Sequence, residues 1–197
     1  MDATVNILRR LANGNTFIAS SYFTSYLYHP EGTNWMYIGR LFNNPIALNR
    51  GDGLYIIPSF VGASDFGHWY VNLVHIQVGQ ARGYALDSLG TNYGPWKSYI
   101  RQKIMHGFSI PSLQYWSDIP ILLQTELECG PRSIWNMLIL CIARNHHITL
   151  NNIFTQIRTL GGISRLESSN IVRNDVHSFL STQSGTALFS RLFSSQE

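Results

Sequence analysis

Apolar residues follow two different spacings along this chain. Between residues 54 and 87 they stand in short runs rich in β-branched and aromatic side chains, whereas beyond residue 129 they recur at steps of three and four. The first spacing is typical of β-strands and the second of helices. The order of these segments predicts an α+β fold, with a central mixed β-sheet, a buried helix against it and further helices on its flanks.

The strand-forming runs contain few polar residues. The run that begins at Trp69 is apolar on both faces apart from three positions. The apolar run 119–124 indicates a strand that is buried on both faces. The segment 79–83 is predicted to connect a hairpin, and Pro58 is expected to close the first run. The predicted strands are residues 54–57, 69–78, 84–87 and 119–124.

Helical spacing is clearest after Cys129. Ile134, Leu138 and Cys141 fall on one face at three- and four-residue steps, the pattern of a buried helix. Pro131 suits the first turn of this helix, because the N–H that proline lacks has no intrahelical acceptor there. We therefore predict a central helix that carries Cys129 at its N-terminus.

Weaker patterns complete the assignment of the chain. The segment 16–28 is rich in aromatic residues and is compatible with helix or strand, whereas 43–53 has the Pro, Asn and Gly content of a loop. Most of the last ~50 residues are predicted to be helical. The further predicted helices are residues 2–11, 152–160 and 170–180.

Composition places the chain among folded proteins. The 197 residues suffice for one domain with a substantial core, and we predict a single domain over 1–197. Charged residues make up only 13%, and the net charge of +3 permits weak attraction to nucleic acid without indicating specific readout. No apolar stretch approaches the ~20 residues of a membrane span, and the first residues do not resemble a secretory signal. We therefore expect an intracellular protein with no membrane partner.

Two cysteines, Cys129 and Cys141, stand twelve residues apart. They are too few for a disulfide scaffold and lack the spacing of a zinc site, so we expect free thiols in a reducing compartment and no bound metal. Twelve helical residues span ~18 Å, which is beyond disulfide reach. Cys141 lies within the apolar helix and is expected in the core.

Three reactive side chains stand at the ends of predicted elements. His68 opens the strand before the hairpin and Asp87 closes the strand after it, so both are expected at one rim of the sheet. Cys129 begins a helix, where unpaired N–H groups and the helix dipole favour an anion and lower the pKa of a thiol. A cysteine, a histidine and a carboxylate that converge are the requirements of a thiol nucleophile.

Acyl transfer also requires hydrogen-bond donors for the oxyanion. The backbone N–H of Cys129 and the side chain of Gln124, five residues earlier, are the candidates. Gly130 would let a substrate backbone pass close to the sulfur.

The order His-Trp, then Asp-Ser-Leu, then Gln and Glu-Cys-Gly resembles the ubiquitin-like-protein (SUMO) proteases and their viral relatives, the adenovirus-type maturation proteases. The resemblance covers roughly residues 54–143, although the spacing from Gln to Cys is shorter than usual in the family. It implies that His68 is the base, Asp87 the orienting carboxylate and Cys129 the nucleophile. It also implies that Gln124 is an oxyanion donor and that Trp69 flanks a channel for a Gly-Gly backbone.

The resemblance implies a cysteine endopeptidase that cuts after glycine. The compact chain, with no tryptophan-containing entry motif of the SUMO-protease type, favours the viral maturation branch, with capsid or other virion precursors as substrates. Such an enzyme is expected to be a monomer without a cofactor, in the host cytoplasm or nucleus or packaged in the virion. A weak DNA or peptide activator is compatible with the charge.

Three alternatives share the same residues. The first is a protease that removes SUMO or another ubiquitin-like modifier, and the second is an acyltransferase, since bacterial effector acetyltransferases use a similar order. The third is a catalytically idle binding module on the same fold. His75 lies within a strand and is expected to be structural, and the pair His146-His147 lacks metal-site spacing.

Overall fold

The protein is described from a computed structural model, over residues 1–27, 34–42, 44–63, 66–89, 94–114, 116–119, 121, 124, 128–159 and 165–193. The strands are β1 (Thr16–Ile18), β2 (Gly53–Ala63), β3 (Phe66–Gln77), β4 (Gln80–Leu86) and β5 (Trp116–Ile119). The helices are α1 (Asp2–Leu11), α2 (Phe23–Leu27), α3 (Trp35–Ile38), α4 (Pro45–Leu48), α5 (Gly94–Phe108), α6 (Cys129–Asn145), α7 (Leu150–Thr159), α8 (Arg165–Thr182) and α9 (Thr186–Phe193). A 3-10 turn, Gly39–Phe42, links α3 to α4.

The strands form one mixed sheet in the order β1-β2-β3-β4-β5. The pairs β2-β3 and β3-β4 are antiparallel, whereas β1-β2 and β4-β5 are parallel. This arrangement confirms the α+β fold with a mixed sheet that the apolar spacing predicts.

Helices cover both faces of the sheet. Val71 and Leu73 of β3 belong to a core cluster shared with α1 and with α6 to α9. Tyr70 and Val74 of the same strand belong to a second cluster, shared with α2, α3 and α5. Successive side chains of a strand point to opposite faces, so the doubly apolar run of β3 reflects burial on each side. Helix α6 lies fully within the first cluster, in agreement with its apolar spacing.

Three strand predictions differ from the structure. Strand β2 continues through Pro58, because β1 pairs with β2 only as far as Ile56 and the missing proline N–H faces an unpaired edge. The hairpin connection is not 79–83 but the two residues Val78 and Gly79, both with positive φ, whose N–H groups bond the Asp52 carboxylate.

The last predicted strand, 119–124, meets the observed β5 only at Ile119. Of the other predicted positions, Ile121 and Gln124 lie among the described residues, and neither is in a strand. Pro120 follows Ile119 and lacks the N–H that a further ladder bond would need.

Three helices, α3, α4 and α5, were not predicted. The segment 43–53, expected as a loop, contains the one-turn helix α4, and the ambiguous segment 16–28 contains both β1 and α2. Helix α5 was missed altogether, although Ile100, Ile104 and Phe108 recur at four-residue steps and are buried. Within the described part of the chain, no helix is long and apolar enough to cross a membrane.

Candidate active site

The antiparallel pairing of β3 and β4 brings His68 and Asp87 together. His68 is the third residue of β3. Asp87 directly follows Leu86, the last residue of β4, which pairs with Val71 of β3. The Nε2 atom of His68 lies 2.6 Å from Oδ1 of Asp87, and both side chains are buried. Oδ1 also accepts the backbone N–H of Leu89 at 2.8 Å, so the carboxylate is anchored by the turn that follows it.

Cys129 is the first residue of α6, and its side chain is a hydrogen-bond partner of His68. Since Nε2 of His68 faces Asp87, Nδ1 is the ring nitrogen that remains for the thiol. The backbone N–H groups of Trp69 and Gly130 also donate to the sulfur. One thiol therefore meets an imidazole and two amide donors.

The electrostatics of this group favour a thiolate beside an imidazolium. Partial burial alone would raise the pKa of the Cys129 thiol, but the hydrogen bond and charge of His68 and the two amide donors outweigh it and lower that pKa. Burial alone would lower the pKa of His68, but the hydrogen bonds to Asp87 and Cys129 raise it to about 9. The pKa of Asp87 is lowered despite burial, through its bonds to His68 and Lys97. At neutral pH His68 is therefore protonated, and its positive charge favours the thiolate form of Cys129.

Gln124 is held beside the same turn by two hydrogen bonds to Ser88. The Ser88 hydroxyl donates to Oε1 of Gln124 at 2.6 Å, and the Gln124 backbone N–H donates to the Ser88 carbonyl at 3.0 Å. Because Oε1 accepts, Nε2 is the end of the amide that carries the donors. Ser88 adjoins Asp87, so the structure places Gln124 next to the carboxylate end of the site.

Trp69 and Gly130 both reach the Cys129 sulfur through their backbone N–H groups, but the space around the two residues differs. Trp69 is partly buried, and its indole packs on Phe60 with ring centroids 5.0 Å apart. A Cβ added at Gly67 would lie 1.8 Å from the Phe60 ring, so glycine before His68 is what admits this packing. A Cβ added at Gly130 would meet no atom within 4 Å, so the space beside the nucleophile is open.

Glu128, which directly precedes Cys129, is buried in an ionic network that the sequence analysis missed. Its Oε2 accepts from Ser169 at 2.6 Å and from Arg132, one helical turn on, at 3.2 Å. Arg132 also donates to Ser168 at 2.9 Å, and Arg173 lies 2.9 Å from Oε1 of Glu128. The network ties the N-terminus of α6 to α8. Its sequence signal was a Glu and an Arg at i, i+4 astride the Cys-Gly-Pro motif.

Lys97 of α5 is the second residue that the sequence analysis missed. Its ammonium group forms an ion pair with Oδ2 of Asp87, and the side chain is buried. Elsewhere among the described residues, no group of three or more His, Cys, Asp or Glu side chains is placed to hold a metal ion. Cys141 is buried in the core, where burial raises the pKa of its thiol to about 12.

The lowered pKa of Cys129 predicts selective alkylation. We expect iodoacetamide to modify Cys129 at pH values where an ordinary thiol is largely protonated, and to leave Cys141 unmodified in the folded protein. In His68→Ala the rate should rise with pH only at higher values, because the hydrogen bond and charge of His68, which lower the pKa of the thiol, are gone and its burial remains. Mass spectrometry of alkylated peptides across pH 5 to 10 measures both effects. Equal reactivity of Cys129 in the two proteins would contradict the assigned contact.

Comparison with known proteins gives matches in structure only. No protein-family model matches the chain, and no curated protein sequence is similar to it. A mutant of the Xanthomonas effector XopD has a TM-score of 0.54 at 16% identity, covering 90% of this chain and 97% of that one. The SUMO protease Ulp1, with its catalytic cysteine oxidised to a sulfinic acid, has a TM-score of 0.55 at 12% identity, covering 91% and 74%.

A third match is the effector protein XopD of Xanthomonas campestris bound to ubiquitin. Its TM-score is 0.50 at 16% identity, and the match covers 73% of this chain and 74% of that one. The fold that the three sequence motifs imply is thus confirmed, whereas the viral branch stays a prediction. This chain has the ubiquitin-like-protein protease fold.

Proposed function

We propose that this protein is a cysteine protease in which Cys129 is the nucleophile, His68 the acid and base, and Asp87 the group that orients His68. The observation that carries the proposal is that His68 contacts both other side chains at once, with Nε2 2.6 Å from Asp87 and Cys129 as its second partner. A thiol with a lowered pKa and a histidine in contact with it needs no other base for attack.

In the proposed reaction the Cys129 thiolate adds to the carbonyl carbon of the scissile peptide, and the carbonyl electron pair moves to oxygen. The N–H groups at the start of α6 and the Gln124 amide are the proposed donors to this oxyanion. His68 delivers its proton to the amine as the C–N bond breaks, which leaves a thioester. Water then gives a proton to His68 and attacks the thioester, releasing the carboxylic acid and restoring the thiolate and imidazolium.

We propose a ubiquitin-like modifier with a glycine-rich tail as the substrate. Two features support this choice: the structural neighbours include a SUMO protease and an effector bound to ubiquitin, and the space at Gly130 is open. Because this open space adjoins Cys129, a substrate backbone without side chains can pass close to the sulfur. Virion precursors cut after glycine are the rival substrates for the same chemistry.

A modifier with a reactive C-terminus tests this proposal. Ubiquitin and SUMO that end in a glycine vinyl sulfone should each be offered to the protein, and at least one should form an adduct. In this adduct the Cys129 sulfur bonds to the β-carbon of the vinyl group and a proton from His68 reaches the α-carbon. Cys129→Ala should form none, whereas Cys141→Ala should react like the parent protein.

Two results would overturn the proposal at different levels. If neither modifier reacts while iodoacetamide still modifies Cys129 selectively, the modifier class is wrong, and cleavage of peptides after glycine then tests the virion-precursor rival. If Cys129 also fails to react with iodoacetamide at neutral pH, the proposed catalytic group is wrong and the idle binding module is favoured.

A further inference from the structure

Lys97 is a buried charge at the edge of the proposed catalytic group. It is the fourth residue of α5, it is 4% exposed, and its ammonium forms an ion pair with Oδ2 of Asp87. The same ammonium lies 6.0 Å from the centre of the Tyr70 ring, and that ring is parallel to His68 at 6.3 Å. Lys97, Asp87, His68 and Cys129 therefore form a continuous chain of contacts from α5 to α6.

The position of Lys97 is unfavourable for a lysine considered alone. Lysine is almost never fully buried unless it is paired, and burial of its charge costs free energy. The first turn of a helix also repels a cation, because the positive end of the helix dipole lies there. Pairing with Asp87 and contact with the Tyr70 face are the interactions that offset these costs.

The two oxygens of Asp87 have separate partners. Oδ1 receives His68 at 2.6 Å and the Leu89 N–H at 2.8 Å, whereas Oδ2 faces Lys97. Rotation of a carboxylate about its Cβ–Cγ bond moves both oxygens, so a partner on Oδ2 opposes the rotation that would carry Oδ1 away from His68. Resting on the proposed function, we propose that Lys97 is a positioning residue for catalysis: its ammonium group fixes the carboxylate plane of Asp87 so that Oδ1 points at His68.

The charged groups around His68 make the proposed role of Lys97 measurable as a change in the pKa of His68. Among the described residues, His68 faces Asp87 from the end of β4, Cys129 from α6, Tyr70 from its own strand and, across Asp87, Lys97 from α5. The Lys97 ammonium and a protonated His68 have the same sign, so removal of Lys97 removes a repulsion. The His68 proton should then be lost at a higher pH than the present value of about 9.

Lys97→Met is the principal test, and Lys103→Met is its matched control, since Lys103 lies on the same helix and contacts Tyr99 instead. We expect kcat/KM for cleavage of a modifier fusion to fall by about 10–100-fold in Lys97→Met, through kcat rather than KM, because a misplaced orienting group costs about that much. Lys97→Arg keeps the charge and should recover part of this loss. Lys103→Met should stay within about twofold of the parent.

The rate of Cys129 alkylation, measured as a function of pH, tests the pairing of Lys97 with Asp87 without any substrate. The rate should change once as the thiolate forms and again near pH 9, where His68 loses its proton, and the second change should move to higher pH in Lys97→Met. This readout survives even if the modifier proposal fails. A profile and a kcat/KM that match those of Lys103→Met would overturn the positioning role.

A second comparison covers the case in which Lys97→Met does not fold. Asp87→Asn removes the buried negative charge, and Lys97→Met in that background leaves no unpaired charge. If Lys97 acts through Asp87, adding Lys97→Met to Asp87→Asn should lower kcat/KM by less than about twofold, because the two residues act as one unit. A further loss of about tenfold or more would overturn the proposal.

Discussion

Cys129→Ala is expected to abolish proteolysis while leaving the fold intact. The Cys129 sulfur is the only protein atom that is proposed to form a covalent bond with the substrate. Removal of a member of such a catalytic group lowers kcat by about 10⁴-fold or more. Cys129 is only partly buried at the first turn of α6, and a Cβ at its neighbour Gly130 meets no atom, so little packing is lost. Hydrolysis of a modifier fusion and thermal unfolding followed by circular dichroism measure the two properties.

Cys141→Ala is the matched control, because it makes the same chemical change at a buried position of the same helix. Its sulfur packs in the core and faces the Leu8 carbonyl at 3.7 Å. We expect Cys141→Ala to retain proteolysis and to lower the free energy of unfolding by about 1 kcal/mol through lost packing. Loss of activity in both variants, or in neither, would contradict the assignment of Cys129 as the nucleophile.

Arg132→Met is expected to cause the largest loss of stability. Arg132 is buried, it pairs with Glu128 at 3.2 Å, and it bonds Ser168 and Ser169 of α8. Removal of Arg132 leaves the buried Glu128 carboxylate with the exposed Arg173 as its remaining described cationic partner, and loss of one partner of a buried ion pair costs about 3–5 kcal/mol. Urea unfolding of the parent and the variant measures the difference.

Arg173→Met separates a buried pair from an exposed one on the same carboxylate. Arg173 is 64% exposed at its side chain, so loss of its pair with Glu128 should cost only about 0–1 kcal/mol. A double variant, Glu128→Gln with Arg132→Met, should recover part of the loss in Arg132→Met because the buried negative charge is removed as well. Equal destabilisation by the two arginine substitutions would contradict this account.

The pH dependence of the network has a defined sign. Burial alone would raise the pKa of Glu128, but Ser169, Arg132 and Arg173 lower it below its usual 4.5. A carboxyl whose pKa is lowered by folding stabilises the folded state above its unfolded pKa, and this contribution is lost as the pH falls through the folded value. The difference in the free energy of unfolding between the parent and Arg132→Met should therefore become smaller as the pH falls through the folded pKa of Glu128.

The network also bears on the proposed chemistry through the position of Glu128. It precedes Cys129 directly, and its carbonyl accepts the first hydrogen bond of α6 from the Arg132 N–H at 3.0 Å. The side chains of the same two residues hold α6 against α8. The helix start that presents the Cys129 sulfur to His68 is therefore anchored to α8.

Local patterns explain why some of the site could be predicted from the sequence. The alternation of strands and the short connection near Gly79 imply that His68 and Asp87 share one rim, whatever the exact length of the turn. The apolar spacing after Cys129 implies a helix start at the thiol. These inferences depend on neighbours within about twenty residues, where chain geometry limits the possible arrangements.

Other parts of the site depend on contacts between distant segments. Two side-chain partners of Arg132, Ser168 and Ser169, lie 36 and 37 residues away on α8, and no local spacing pairs them with Arg132. Among its described residues, the predicted strand 119–124 agrees with the structure only at Ile119, because apolar content by itself does not show which backbone groups pair. The Gln124 backbone bonds Ser88 outside any strand.

The sequence alone determined the elements and the chemistry they carry: a β-hairpin that ends in a histidine and an aspartate, and a buried helix that begins with a cysteine. The spacing of apolar residues and the residue types in turns act over short distances along the chain, and they suffice to predict these elements. Only the tertiary structure decided that α5 packs across the sheet and brings the Lys97 ammonium to Asp87, and that α8 closes an ionic network behind Cys129. Burial and charge pairing depend on which surfaces meet, and those surfaces exist only once the helices have packed on the sheet.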